Sequence, residues 1–202
     1  MYLPAHFKET DPQTLAQLMQ AYPLGTWVLP AASGLLINHL PFMVDTDSDG
    51  TTRLIGHVAR ANPVWKAVAE AGEGVVVFQG PQTYISPSFY PSKQVDGKVV
   101  PTWNYAVVHA HGKARVITDK AQLLAIVTRL TDTHEARRAA PWQVSDAPDD
   151  YIEQRLTGIV GIEIVVSELV GKFKNSQNRP LEDRAGVAVG LGPDAPLIPP
   201  QS

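Results

Sequence analysis

The chain of 202 residues contains no cysteine. Disulfides, thiolate nucleophiles and cysteine-ligated metal centres are therefore excluded. A reducing cytoplasm is compatible with this. Long apolar runs are also missing. No stretch approaches the roughly 20 consecutive apolar residues of a membrane-spanning helix. The opening MYLPAHFKETD has neither the basic nor the apolar region of a secretory signal. A cytoplasmic protein is the default expectation. Excess positive charge is absent too: 17 basic and 20 acidic residues give a net charge of −3, so no global field recruits nucleic acid. A local basic patch stays compatible with that balance. The sequence has no GxGxxG, no GxxxxGK[ST] and no GxSxG, which removes the dinucleotide Rossmann, P-loop and nucleophile-elbow readings. The segment DTDSDG, 45–50, begins like a calcium loop, but Gly56 stands where the twelfth-position glutamate belongs. Asp49-Gly50 reads instead as a hairpin turn.

What is present is a globular pattern, with 44% hydrophobic and 18% charged residues. Asp11 caps a helix whose first residue is Pro12, with Leu15, Leu18, Met19 and Tyr22 on one face. GTWVL (25–29), LLINHLPFMV (35–44) and RLIGHV (53–58) read as strands. Asn62-Pro63 opens a helix with Trp65, Val68 and Ala69 on its apolar face, stopped at Gly72 and Gly74. Val75 to Phe78 is a short buried strand, with Gly80-Pro81 as a turn, and 91–98 is a mobile polar loop. From Val100 to Gly112 a strand alternates, with Trp103, Tyr105, Val107, His109 and His111 on one face and Asn104, Ala106, Val108 and Ala110 on the other. Asp119 caps a helix bearing Leu123, Ile126, Val127 and Leu130. A short helix runs from Asp149 or Asp150 to Leu156, and 159–174 contains a long strand. The end, from about 180, reads as a tail rich in proline. Seven or eight strands with scattered helices fit a single domain that is mainly β with α, a β-barrel with helical additions.

Three groups of residues carry candidate chemistry. His57, Arg60 and Asn62 fall at a strand end and a helix start, where unpaired backbone N–H groups and the helix dipole suit a phosphate. Lys172, Lys174 and Arg179, with Gln177 and Asn178, are either a solvated strand end or a donor-rich surface for a phosphate or a polar planar ligand. Tyr84, Phe89, Tyr90 and Trp103 are either core or the wall of a flat ring. His109 and His111 share a face, yet no third histidine or carboxylate completes a metal site in sequence, and no metal is expected. Haem ligation through a histidine is a further alternative.

The segments HLPF (39–42), GHVARANPVW (56–65), FQGPQTYISPSFY (78–90), VPTWNY (100–105) and GKFKNSQNR (171–179), with MYLPAHF at the start, resemble the PaiB-like family in one order along nearly the whole chain. The resemblance implies an FMN-binding split β-barrel with peripheral helices, forming a homodimer with flavin at the interface. It implies a transcriptional regulator or flavin-linked sensor that can contact DNA. The alternative is a flavin-dependent oxidoreductase of the pyridoxamine-phosphate-oxidase or flavin-reductase kind, acting on an unknown small molecule. It places His57, Val58, Arg60 and Asn62 at the phosphate, with Asn62 where the oxidase branch has a basic residue. The planar fork of Arg60, set at a turn, makes it the expected main anchor. The resemblance passes His39, Leu40 and Pro41 under the flavin ring and sets Tyr84, Ile85 and Ser86 at its edge. Trp103, Asn104, Lys172, Lys174 and Gln177 complete the expected cofactor site, some from the partner subunit. Trp27, Trp103 and Phe173 are the expected dimer contacts.

Overall fold

The computed structural model describes residues 1–193. Among them are eight strands and six α-helices. In chain order these are β1 (Lys8–Glu9), α1 (Pro12–Ala21), β2 (Leu24–Ala31), β3 (Gly34–Pro41), β4 (Met43–Thr46), β5 (Thr52–Ala59), α2 (Val64–Ala67), β6 (Gly74–Ile85), α3 (Lys93–Asp96), β7 (Thr102–Ile117), α4 (Lys120–Glu135), α5 (Asp149–Thr157), β8 (Ile159–Lys174) and α6 (Leu181–Leu191). Strand neighbours follow the order β3-β2-β6-β7-β8-β5-β4, with β1 on β8, and the sheet does not close. No helix of the described residues is long and apolar enough to cross a membrane.

The chain folds as two compact units interleaved in sequence. One holds 23–77 and 110–168. Here β2 pairs antiparallel with β3 and with the start of β6, while β5 pairs with β4 and β8. Its core packs α4 and α5 on the strands through Met43, Ile55, Ile117, Leu123, Ile126, Leu130 and Leu156. The Asp119 carboxylate accepts from the Gln122 N–H and so starts α4 as its position in the sequence requires.

The other unit holds 1–22, 78–109 and 169–193 of the described residues. Asp11 caps α1 by accepting from the Thr14 N–H at 2.7 Å and the Thr14 hydroxyl at 2.6 Å. Leu15, Leu18 and Met19 are buried, as the helical spacing requires.

Four local expectations are corrected. Gly80-Pro81 is not a turn: β6 continues through it to Ile85. A Cβ at residue 80 would lie 3.0 Å from Leu18 Cδ1 and 3.2 Å from the Ala106 carbonyl oxygen, so glycine serves close approach rather than reversal. The polar segment 91–98 forms the one-turn α3, closed by Gly97 at φ 67°. The helix after Asn62 is a single turn, with Val64 and Val68 buried rather than Trp65. The expected tail from about 180 contains α6, anchored by Asp183, which accepts from the Ser92 N–H at 3.1 Å and the Ser92 hydroxyl at 2.8 Å. The rest of that tail, 194–202, lies outside the described residues.

Candidate functional site

In the unit of 23–77 and 110–168, β3 and β5 come together at the HLPF segment. A Cβ on Gly56 would stand 2.9 Å from the Pro41 carbonyl oxygen and 3.2 Å from Leu40 Cδ1. Only glycine lets the strand before His57 lie this close to Leu40 and Pro41. His39 is tied across β2–β3, its Nδ1 3.0 Å from the Thr26 hydroxyl oxygen. His57 follows Gly56 on β5. Its ring is half-buried, and Nδ1 is buried without any hydrogen-bond partner. Burial pushes the His57 imidazole below its usual value. Val58 is buried in the core, so only its backbone is available to a ligand.

Asn62 joins this group. Its Oδ1 accepts from the Val64 N–H at 3.0 Å and its Nδ2 donates to Asn38 Oδ1 at 2.6 Å. The capping role expected of it is therefore real, and it fastens the turn to β3. Arg60 points elsewhere. Its backbone N–H donates to the Gly158 carbonyl at 2.8 Å, Nε donates to the Thr157 carbonyl at 2.6 Å, and Nη2 donates to the Ile159 carbonyl at 3.0 Å. It staples the end of α5 to the start of β8.

In the unit of 1–22, 78–109 and 169–193, the Tyr84 and Trp103 rings meet edge-on at 5.9 Å, and both are about half-exposed. This exposed aromatic pair is available to a flat ligand. Lys174 Nζ donates to the Trp103 carbonyl at 2.6 Å and to the Thr102 hydroxyl. Burial first, and then Lys172 and Arg179, push the Lys174 ammonium down. Lys172 is a buried cation over the rings of Tyr105 and Tyr2, at 5.3 and 5.7 Å, and it donates to the Tyr2 carbonyl at 3.1 Å. Asn104 is buried and exchanges hydrogen bonds with the Ser176 hydroxyl. Gln177 accepts from the Asn175 N–H at 2.6 Å and donates to the Phe173 carbonyl, which shapes the turn. Ile85 belongs to a core cluster with Tyr90 and Val187. The Ser86 hydroxyl accepts from the Ser88 N–H at 3.2 Å.

Three residues not anticipated take part. Asn38 holds Asn62, Tyr105 faces Lys172, and Ser176 holds Asn104. Ser176 is the only non-glycine residue of the described chain at positive φ, 58°. Asparagine inside a strand and serine inside a donor-rich turn were the only signals for the first and last. The unit of 1–22, 78–109 and 169–193 offers an exposed aromatic pair and the buried Lys172, which suit a planar anionic ligand. The unit of 23–77 and 110–168 offers a buried ring nitrogen that lacks a partner.

The His57 shift fixes a pH dependence. The folded state binds fewer protons there than the unfolded chain, so stability is present above the unfolded pKa of about 6.5 and falls as pH drops from that value toward the lower folded one. Thermal midpoints from about pH 8 to pH 5 should fall more steeply for the native chain than for His57→Phe. Parallel profiles would contradict this.

A family model described as "Putative FMN-binding domain" matches residues 1–168. An uncharacterized protein of Emericella nidulans is 38% identical over 233 aligned residues, covering 96% of this chain and 93% of that one. The protease synthase and sporulation protein PAI 2 of Bacillus subtilis is 34% identical over 179, covering 89% and 83%. The structure of an FAD and haem binding protein from Mycobacterium smegmatis superposes with a TM-score of 0.63 at 16% identity, covering 96% and 83%, and shares the fold. That fold is the flavoprotein split barrel, mainly antiparallel with peripheral helices. By the match over 1–168 and the identity to both relatives, this chain belongs to the FMN-binding-domain family as a PaiB-like, flavin-binding member.

Proposed function

We propose that the chain binds FMN and works as a flavin-linked sensor or transcriptional regulator. The observation that carries the cofactor is the family match over 1–168. The partnerless His57 Nδ1 and the exposed Tyr84–Trp103 pair support it. The Bacillus relative is named for protease synthesis and sporulation, which favours regulation over turnover. The second reading, a flavin-dependent oxidoreductase, rests on the flavin itself, which supplies hydride and one-electron transfer when bound.

In the unit of 23–77 and 110–168, Leu40 and Pro41 would meet the flavin ring and His57 its phosphate. In the other unit, Tyr84 and Trp103 offer a stacking surface and Lys172 and Lys174 offer positive charge. Asn62 positions the turn from β3. Arg60 positions the α5–β8 junction, which leaves His57 as the side chain of that turn open to a ligand. Titration calorimetry should give FMN affinity of micromolar or better. No heat at roughly 100 μM, weaker than about 5.5 kcal/mol, would sink the cofactor. A salt-sensitive shift of labelled DNA supports direct regulation. Flavin reduction by a nicotinamide donor with no shift supports the oxidoreductase.

A homodimer completes the proposal. Trp27 and Phe173 are buried within the chain and cannot supply its contact. Leu35 and Ile37 can: both lie on β3, which ends the strand order, and both are more than half-exposed. Light scattering at micromolar concentration should give twice the chain mass of 21.9 kDa. The monomer mass would refute it.

A further inference from the structure

A small cavity of about 110 Å³ opens in the unit of 1–22, 78–109 and 169–193. Its polar lining includes Tyr90, Asn104, Lys174, Ser176, Asn178 and Arg179, and no carboxylate lines it. Tyr90 is 2% exposed, yet its hydroxyl is buried with no hydrogen-bond partner. A buried hydroxyl left unpaired is costly, and native structures rarely keep one without a use. The Arg179 guanidinium lies 4.7 Å from the centre of the Tyr90 ring. Among the described residues, neither Arg179 nor Lys174 has a carboxylate partner. Lys174 directs two of its three hydrogens to Thr102 and Trp103, which leaves one. Ser176, the residue at φ 58°, brings its hydroxyl to Asn104 at the same cavity. Left-handed non-glycine backbone of this kind concentrates at ligand sites.

Two unneutralised cations, an orphan O–H donor and a buried amide thus surround a space too small for a flavin ring, since ligand pockets for such molecules begin near 300 Å³. The space takes one tetrahedral or planar oxyanion. We propose that Tyr90, Lys174 and Arg179 form a binding site for a phosphate or carboxylate group. The Tyr90 hydroxyl and the Arg179 fork donate to the oxyanion, Lys174 neutralises it, and the Asn104–Ser176 pair fixes the floor. The site stands whether or not the turn at His57 binds flavin.

The test is titration of the flavin-free full chain with inorganic phosphate, repeated on Tyr90→Phe and Arg179→Gln. Tyr90→Phe keeps the ring and its packing while removing the orphan hydroxyl. It should raise the thermal midpoint of the anion-free protein and weaken phosphate binding several-fold. Arg179→Gln should weaken phosphate about tenfold or more, the scale of a charge-assisted contact. Two further arms identify the source of the anion. Phosphate that binds the riboflavin-loaded chain but not the FMN-loaded chain means that the flavin's own phosphate fills the site. Phosphate that binds both means a second, free oxyanion ligand. Either result supports the site. Absence of phosphate binding to the folded native chain, or affinity unchanged in both variants, overturns it. A failure of FMN to bind leaves the flavin-free titration intact, so the two readings fail separately.

Discussion

Removing both Arg53 and Arg115 should destabilise the chain by about 3–5 kcal/mol, more than removing the carboxylate that they share. That carboxylate is Glu163, 6% exposed on β8. Arg115 grips it with two bonds, Nε at 2.6 Å and Nη2 at 2.8 Å. Arg53 adds Nη1 at 3.2 Å and is itself held by Asp47 at 2.8 Å. The asymmetry follows from what each change leaves behind. The side chains of Arg53 and Arg115 are 32% and 58% exposed, so water takes them over when Glu163 is lost. Glu163 has no such recourse and would remain a buried charge with no cation. Either arginine change alone leaves the other partner in place, so the two effects should add to less than the double. Restoring an apolar residue by Glu163→Leu in the double variant should recover much of the loss. Urea unfolding of the single, double and triple variants measures each term. Additive singles with no recovery in the triple would show that the network carries no coupling.

That network also marks a limit of sequence reading. Arg53, Arg115 and Glu163 are far apart in the chain and meet because β8 lies between β5 and β7, in a register that places Ile55 opposite Glu163. No local pattern announces it. Elements set by neighbouring residues were legible: the Asp11 cap and Pro12 start of α1, the Asp119 cap of α4, and the alternating apolar positions of β8 from Val160 to Ile164. Elements set by distant residues were not. Gly80-Pro81 carries a turn signature, but α1 and β7 press on it and β6 runs straight through. The sequence of α6, with glycines at 186 and 190, has low helix propensity and reads as tail. It is helical because Asp183 and Val187 are buried by tertiary contacts. The candidate site divides in the same way. Asn62 as a cap was readable from Asn-Pro alone, whereas its bond to Asn38 and the commitment of Arg60 to backbone carbonyls depend on chain folded against chain.

Arg60 decides how the turn after β5 works. The reading from sequence makes it the bidentate phosphate anchor. Its geometry assigns another task, because the Nε and Nη2 edge, the edge that forks onto two oxygens, already donates to the Thr157 and Ile159 carbonyls. The cavity beside it, about 320 Å³, is lined by Lys120 and Glu153, which pair with each other at 2.7 Å. Arg60→Ala should therefore cost about 1–3 kcal/mol of stability, since charge-assisted bonds to two carbonyls are lost at the α5–β8 junction. It should change FMN and riboflavin affinity by the same small factor, because riboflavin differs from FMN in lacking the phosphate. His57→Phe removes the one side chain of this turn whose donor or acceptor is unused, and it should lower FMN affinity more than riboflavin affinity. Calorimetric titration of both ligands against both variants, with urea unfolding alongside, separates these roles. If Arg60→Ala brings FMN affinity down to the riboflavin value by roughly 10- to 100-fold, with riboflavin binding and stability unchanged, then Arg60 is the anchor after all. In that case the guanidinium must leave its carbonyls when the phosphate arrives.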